Sequence, residues 1–163
     1  MFRKLFFGLT LIGFVMSQLT PNDKIKIRQT LKQLEIKLQR VHLKLDDVIN
    51  EMVMESLEKA RLTGNFKAYR CSEKAAFDLI KTVYKVHYLN TIYLSNLFQE
   101  IINKIEDDTM SESEQEDIKS GIDRGDYDEL VKEKIQLTEE YDLMKSDDFH
   151  LAVSKCLQIR FNK

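Results

Sequence analysis

From Ile27 to Met52, apolar side chains recur at Ile27, Leu31, Leu34, Leu38, Val41, Leu45, Val48 and Met52, with spacings of four and three in strict alternation. This is the seven-residue pattern of a helix that buries one narrow stripe along its length, and such a stripe needs a second rod to cover it. Thr20-Pro21-Asn22-Asp23 supplies the start: Thr20 suits an N-cap, Pro21 the first turn, and Asp23 the positive end of the helix dipole. The spacing predicts a helix running to Leu62, roughly 40 residues and about 60 Å long. Thr63-Gly64-Asn65 breaks it, with Gly64 as the C-terminal cap. A second periodic segment covers residues 66–105, with Tyr69, Ala76, Ile80, Val83, Leu94, Leu97 and Ile101 near one stripe. Two helices of similar length joined by so short a break must lie antiparallel.

The expected fold is therefore all-α, a long helical hairpin over residues 19–105 packed through Leu31, Leu34, Leu38, Val41 and Leu45. Scarce glycine (5) and proline (1) and a charged fraction of 32% agree with long helices rather than sheets. Beyond the hairpin, Glu106 to Asp117 is rich in acid and poor in core residues, and residues 106–120 read as an acidic linker. Short acidic helices are expected over 121–163, one from Asp126 to Met144 and a last one from Phe149 to Phe161.

Charge is sorted along the chain. Residues 1–105 carry 17 Lys/Arg against 10 Asp/Glu, whereas residues 106–163 carry 8 against 17. The densest basic stretch holds Lys24, Lys26, Arg28, Lys32, Lys37, Arg40 and Lys44, opposed by Asp23 and Glu35. It can be a solvated face that balances the acidic segment, or it can lie on an anionic membrane, where each basic residue is worth about 1 kcal/mol. Nucleic acid is disfavoured, since no aromatic platform or recognition fold interleaves with these residues.

The N-terminus supports two readings. Met1-Phe2-Arg3-Lys4 precedes an apolar run from Leu5 to Ser17. This fits a cleaved signal peptide and is short for a membrane span, which needs about 20 apolar residues. It also fits an interfacial anchor over residues 1–18, with Phe2, Leu5, Phe6 and Phe7 in the acyl boundary and Arg3 and Lys4 at headgroups.

Motifs for catalysis are missing. His42, His87 and His150 have no carboxylate or cysteine at ligand spacing and read as structural. Glu51, Glu55 and Glu58 lack the Glu-x-x-His partner of a di-iron bundle. No phosphate loop or nucleophile elbow occurs, so no cofactor, metal or enzymatic activity is expected. Cys71 and Cys156 read as two buried or half-buried thiols; a bridge between them requires export.

The segment Leu19-Thr-Pro-Asn-Asp-Lys-Ile25, the seam helix, and Leu57 to Arg70 together resemble the ESCRT-III (charged multivesicular body protein) family. Its members share a basic helical hairpin, a polar or glycine turn, a basic residue early in helix two, then smaller helices in an acidic half. Gly64 and Arg70 fall on those positions, and Tyr127 to Tyr141 looks like a later family helix. The Thr-x-x-Asp-Lys entry is most similar to the nucleating, ESCRT-II-binding subgroup. Phe2 replaces the glycine that this subgroup acylates. Leu151, Leu157 and Arg160 match the family's ATPase-engaging C-terminus poorly.

The resemblance implies a membrane-remodelling scaffold on the cytoplasmic face of endosomes. Phe2 to Phe7 with Lys24, Lys26, Arg28 and Lys32 would bind anionic lipid. Copies would polymerise in multivesicular-body sorting, with ESCRT-II and an AAA ATPase as further partners. The acidic segment would hold the soluble state closed. The alternative is a secreted helical bundle that begins at Gln18, carries a Cys71–Cys156 bridge, and has a ligand-binding or structural role.

Overall fold

The structure is a computed structural model and describes residues 19–159. It is all-α, as the sequence pattern requires. Helix α1 spans Pro21–Leu62, α2 Phe66–His87, α3 Tyr93–Glu106, α4 Glu112–Arg124 and α5 Asp126–Leu157; a π-helical turn, Tyr88–Ile92, joins α2 to α3 without a break.

The start of α1 is fixed by a reciprocal cap. Thr20 Oγ1 accepts from the Asp23 amide at 3.1 Å, and Asp23 Oδ2 accepts from the Thr20 amide at 3.0 Å. The Thr20 hydroxyl, which also donates to Asp23 Oδ2 at 2.7 Å, and after it the Thr20 amide hold the Asp23 carboxyl below its ordinary range. At the far end Gly64, at φ +65°, turns the chain in a conformation that costs other residues dearly. Asn65 then caps α2, accepting from the amides of Lys67 and Ala68. The predicted antiparallel hairpin follows from this three-residue turn.

The acidic half differs from its expectation as a linker with short helices. Ser111 and Glu114 form a second capping box that opens α4 inside the expected linker, leaving 107–111 between α3 and α4. Gly125, at φ +80°, closes α4 and opens α5, which runs 32 residues without interruption through the expected break before Phe149. Helix α5 lies along the hairpin, antiparallel to α2 and α3, and completes a three-helix bundle. The acidic residues hid this because all of them but Asp142 occupy its outer face, while Val131, Thr138, Asp142, Phe149, Val153 and Cys156 point inward.

The buried stripe of α1 also departs from the heptad reading. Its members are Ile27, Leu31, Leu34, Leu38, His42, Leu45, Ile49, Val53, Ser56 and Ala60, of which His42 and Leu45 are half-buried. Their spacings repeat as four, three, four, an eleven-residue period in which Ile27, Leu38, Ile49 and Ala60 are equivalent. Eleven residues in three turns lie close to the natural pitch of the helix, so the long rods stay aligned without left-handed supercoiling. Helix α5 keeps the same period, with Val131, Asp142 and Val153 equivalent. Val41 is therefore only half-buried and flanks the seam, and Val48 is exposed. On the second rod Ala76, Val83 and Leu94 are buried as predicted, whereas Leu97 faces solvent.

The apolar core falls into two clusters. One, at the open end of the hairpin, gathers Ile27 to Leu38 with Leu94, Phe98, Ile102, Ile118 and Val131. The other, toward the turn, gathers Ile49, Val53, Ala76, Leu79, Val83, Phe149 and Val153. Between their sequence levels on α1 sits the half-buried His42, beside the buried His87 and Thr91, with buried Asp142 against His87.

Candidate functional site

The basic face of α1 folds against the acidic segment. Lys24 pairs with Asp108, Lys26 with Asp123 at 2.6 Å, Arg28 with Glu106 at 2.9 Å, and Lys37 with Asp128 at 3.8 Å. A pair of opposite sense, Lys119 to Asp23 at 3.2 Å, ties α4 back to the first turn of α1. These groups are largely solvent-exposed, so each pair adds little to stability and is weakened by salt. Lys32 is exposed and takes part in no ion pair among the described residues. With Arg28, Gln29, Gln99 and Glu106 it lines a shallow hollow of about 250 Å³.

The other residues expected to touch lipid, Phe2, Arg3, Lys4, Leu5, Phe6 and Phe7, lie outside the described residues. Of the hairpin contacts, Leu31, Leu34 and Leu38 are buried and Leu45 is half-buried. Arg70 is not a hairpin contact. It is exposed and pairs with Glu73, one turn along its own helix.

A second constellation was brought together in the sequence only by the secreted alternative. Cys71 of α2 and Cys156 of α5 form a disulfide across 85 residues, with Cα atoms 5.5 Å apart. This corrects their reading as separate thiols. Asn65 Nδ2 donates to the carbonyl of Ile159 at 2.7 Å, so the hairpin turn also grips the end of α5. Beside the bridge, α2 and α5 flank an open groove of about 650 Å³ floored by Leu79 and Phe149 and edged by Lys74, Lys145 and Lys155 together with Asp78 and Asp148. The volume is that of a small-molecule site, and the lining suits an apolar body with a polar head. The only sign in the sequence was that two cysteines follow an export-like leader.

The third constellation is the polar layer. His87 Nε2 donates to Asp142 Oδ2 at 2.6 Å, with both side chains shut away from solvent. The His42 ring stands edge-on to that of His87, centroids 5.4 Å apart. On the outer side, the Tyr84 hydroxyl donates to the Asp46 carboxylate, which together with burial raises the phenol above its usual range. Thr91 and Thr138 turn their hydroxyls onto carbonyls of their own helices. Asp142 stands 55 residues from its histidine, beyond the reach of any local motif.

None of these arrangements sets a nucleophile against a base. Among the described residues, no cluster of histidine, cysteine and carboxylate side chains could hold a metal ion. Glu55 and Glu58 are spent on Lys59 and Arg61 of the same helix. No described helix is long and apolar enough to cross a membrane. No family model, curated protein or solved structure matches the chain.

Proposed function

We propose that the chain is an exported helical-bundle protein that acts by binding, holding a small amphiphile in the groove between α2 and α5. The disulfide carries this reading. Bridges of this kind persist in oxidising compartments and are kept reduced in the cytosol. Cys71–Cys156 closes the third helix onto the hairpin beside the apolar groove. Residues 1–17, with their basic start and apolar run, fit the leader that export requires. Expressed through a secretory pathway, the protein is expected in the medium, beginning at Gln18 and lacking reactive thiols. Recovery in the cytosol with Met1 intact and both thiols reactive would overturn the proposal.

A second reading, the ESCRT-III-like scaffold, is favoured by one observation. The acidic segment already neutralises Lys24, Lys26 and Arg28, as a closed and releasable state would. In that reading the protein works on the cytoplasmic face of endosomes, where reduction frees α5 and anionic lipid displaces the acidic residues. Reduced protein would then bind phosphatidylserine vesicles and assemble, and reversing Lys24, Lys26, Arg28 and Lys32 together would abolish binding. Unchanged binding by that variant, or no binding by the reduced wild type, sinks this reading. Removing residues 106–163 is not a clean test, because it strips α4 and α5 from both apolar clusters.

A further inference from the structure

We propose that the His42–His87–Asp142 layer is an acid-operated latch, which keeps the middle of the bundle closed near neutral pH and loosens it on acidification. The layer occupies seam positions between two apolar clusters, where an aliphatic side chain would ordinarily sit. Its polar groups are incompletely satisfied. The Nδ1 atoms of His42 and His87 and Oδ1 of Asp142 are buried without partners. Such a layer is costly to maintain and sensitive to any change in charge. The π-helical turn begins directly after His87, and interruptions of this kind concentrate at places where a helix gives way or does work.

The groups around the layer define its response. On α1, His42 is faced by Asp46, whose carboxylate is taken up by Tyr84 of α2. On α5, Asp142 is flanked a turn away by exposed Glu139 and half-buried Lys145, and Lys145 pairs with Asp148 at 2.9 Å. The π-helical turn and α3 bring Thr91, Ser95 and Asn96, all uncharged, to a hollow of about 140 Å³ against His42. Among the described residues, α4 meets α1 by ion pairs only at the first turns of α1, through Asp123 and Lys119.

A proton on His87 can be shared with Asp142, but one on His42 has no acceptor in the layer. Burial of the ring, and after it the adjacent His87, holds His42 below the ordinary imidazole value of 6.5, against a weaker upward pull from Asp46. The direction of the effect follows. Unfolding restores the imidazole's affinity for its proton, so stability is intact above pH 6.5 and falls as the pH drops through and below that value.

The test is amide hydrogen exchange on the full, disulfide-intact chain at pH 7.5 and 5.0, compared as protection factors. Protection is expected to fall about tenfold or more around residues 38–49, 83–95 and 135–146 at the lower pH, and less beside the bridge. His42→Leu is expected to remove the fall while keeping protection at pH 7.5. Equal wild-type protection at both pH values, or an undiminished fall in H42L, would overturn the latch. Should H42L fail to fold, an NMR titration of the wild-type imidazoles decides the matter. A midpoint for His42 below 6.5, with layer resonances shifting alongside it, supports the latch, and a midpoint at or above 6.5 refutes it.

Discussion

Replacing both cysteines, C71S with C156S, lowers the thermal midpoint at pH 7.5 by about 10–15 °C, and reducing the wild type has the same effect. The bridge closes a loop with a sequence separation of 85 residues. Confining the unfolded chain over such a loop is worth about 4–5 kcal/mol. In a chain of this length each kcal/mol moves the midpoint by about 2–4 °C. The loss falls on α5, which otherwise depends at this end on Phe149, Val153 and the Asn65 contact with Ile159. Differential scanning calorimetry with and without reductant measures it. A shift under about 3 °C would mean that the bridge does not constrain the unfolded chain, and export would lose its main support.

Ile49→Ala destabilises the bundle by about 2–4 kcal/mol, while Val48→Ala stays within about 0.5 kcal/mol of the wild type. The adjacent β-branched residues differ by one methylene and in register: Ile49 is 2% exposed and Val48 51%. Ile49 packs in the cluster that holds α1, α2 and α5 together near the turn, so truncation leaves a cavity between three helices. Val48 points outward and loses only surface contacts. Urea unfolding of the two variants distinguishes the periods directly. If V48A were the damaging change, the seven-residue seam would hold beyond Leu38 and the eleven-residue stripe would be wrong.

These two residues show why the sequence led so far and no further. Between Ile27 and Leu38 both periods name the same side chains, and all four are buried. Past Leu38 the chain offers apolar residues to either period, Val48 and Met52 or Ile49 and Val53. Only the partner helices can choose between them. The eleven-residue choice also brings His42 into the seam, where an aliphatic residue is expected and a histidine looks out of place. The acidic segment misled for a related reason. Its charges are the outer face of α4 and α5, and the inner face is too sparse in aliphatic residues to read as a core.

The sequence by itself determined the local events. Thr20 with Asp23 starts α1, Gly64 turns the hairpin, and the sorted charges allow the acidic half to lie against the basic first turns of α1. Each depends on residues close in the chain, or on net charge, which needs no exact geometry. Tertiary structure alone decided the bridge between Cys71 and Cys156, the meeting of His42, His87 and Asp142, and the burial of one long third helix. These join residues up to 85 positions apart, and no local spacing encodes which turn of one rod will face which turn of another.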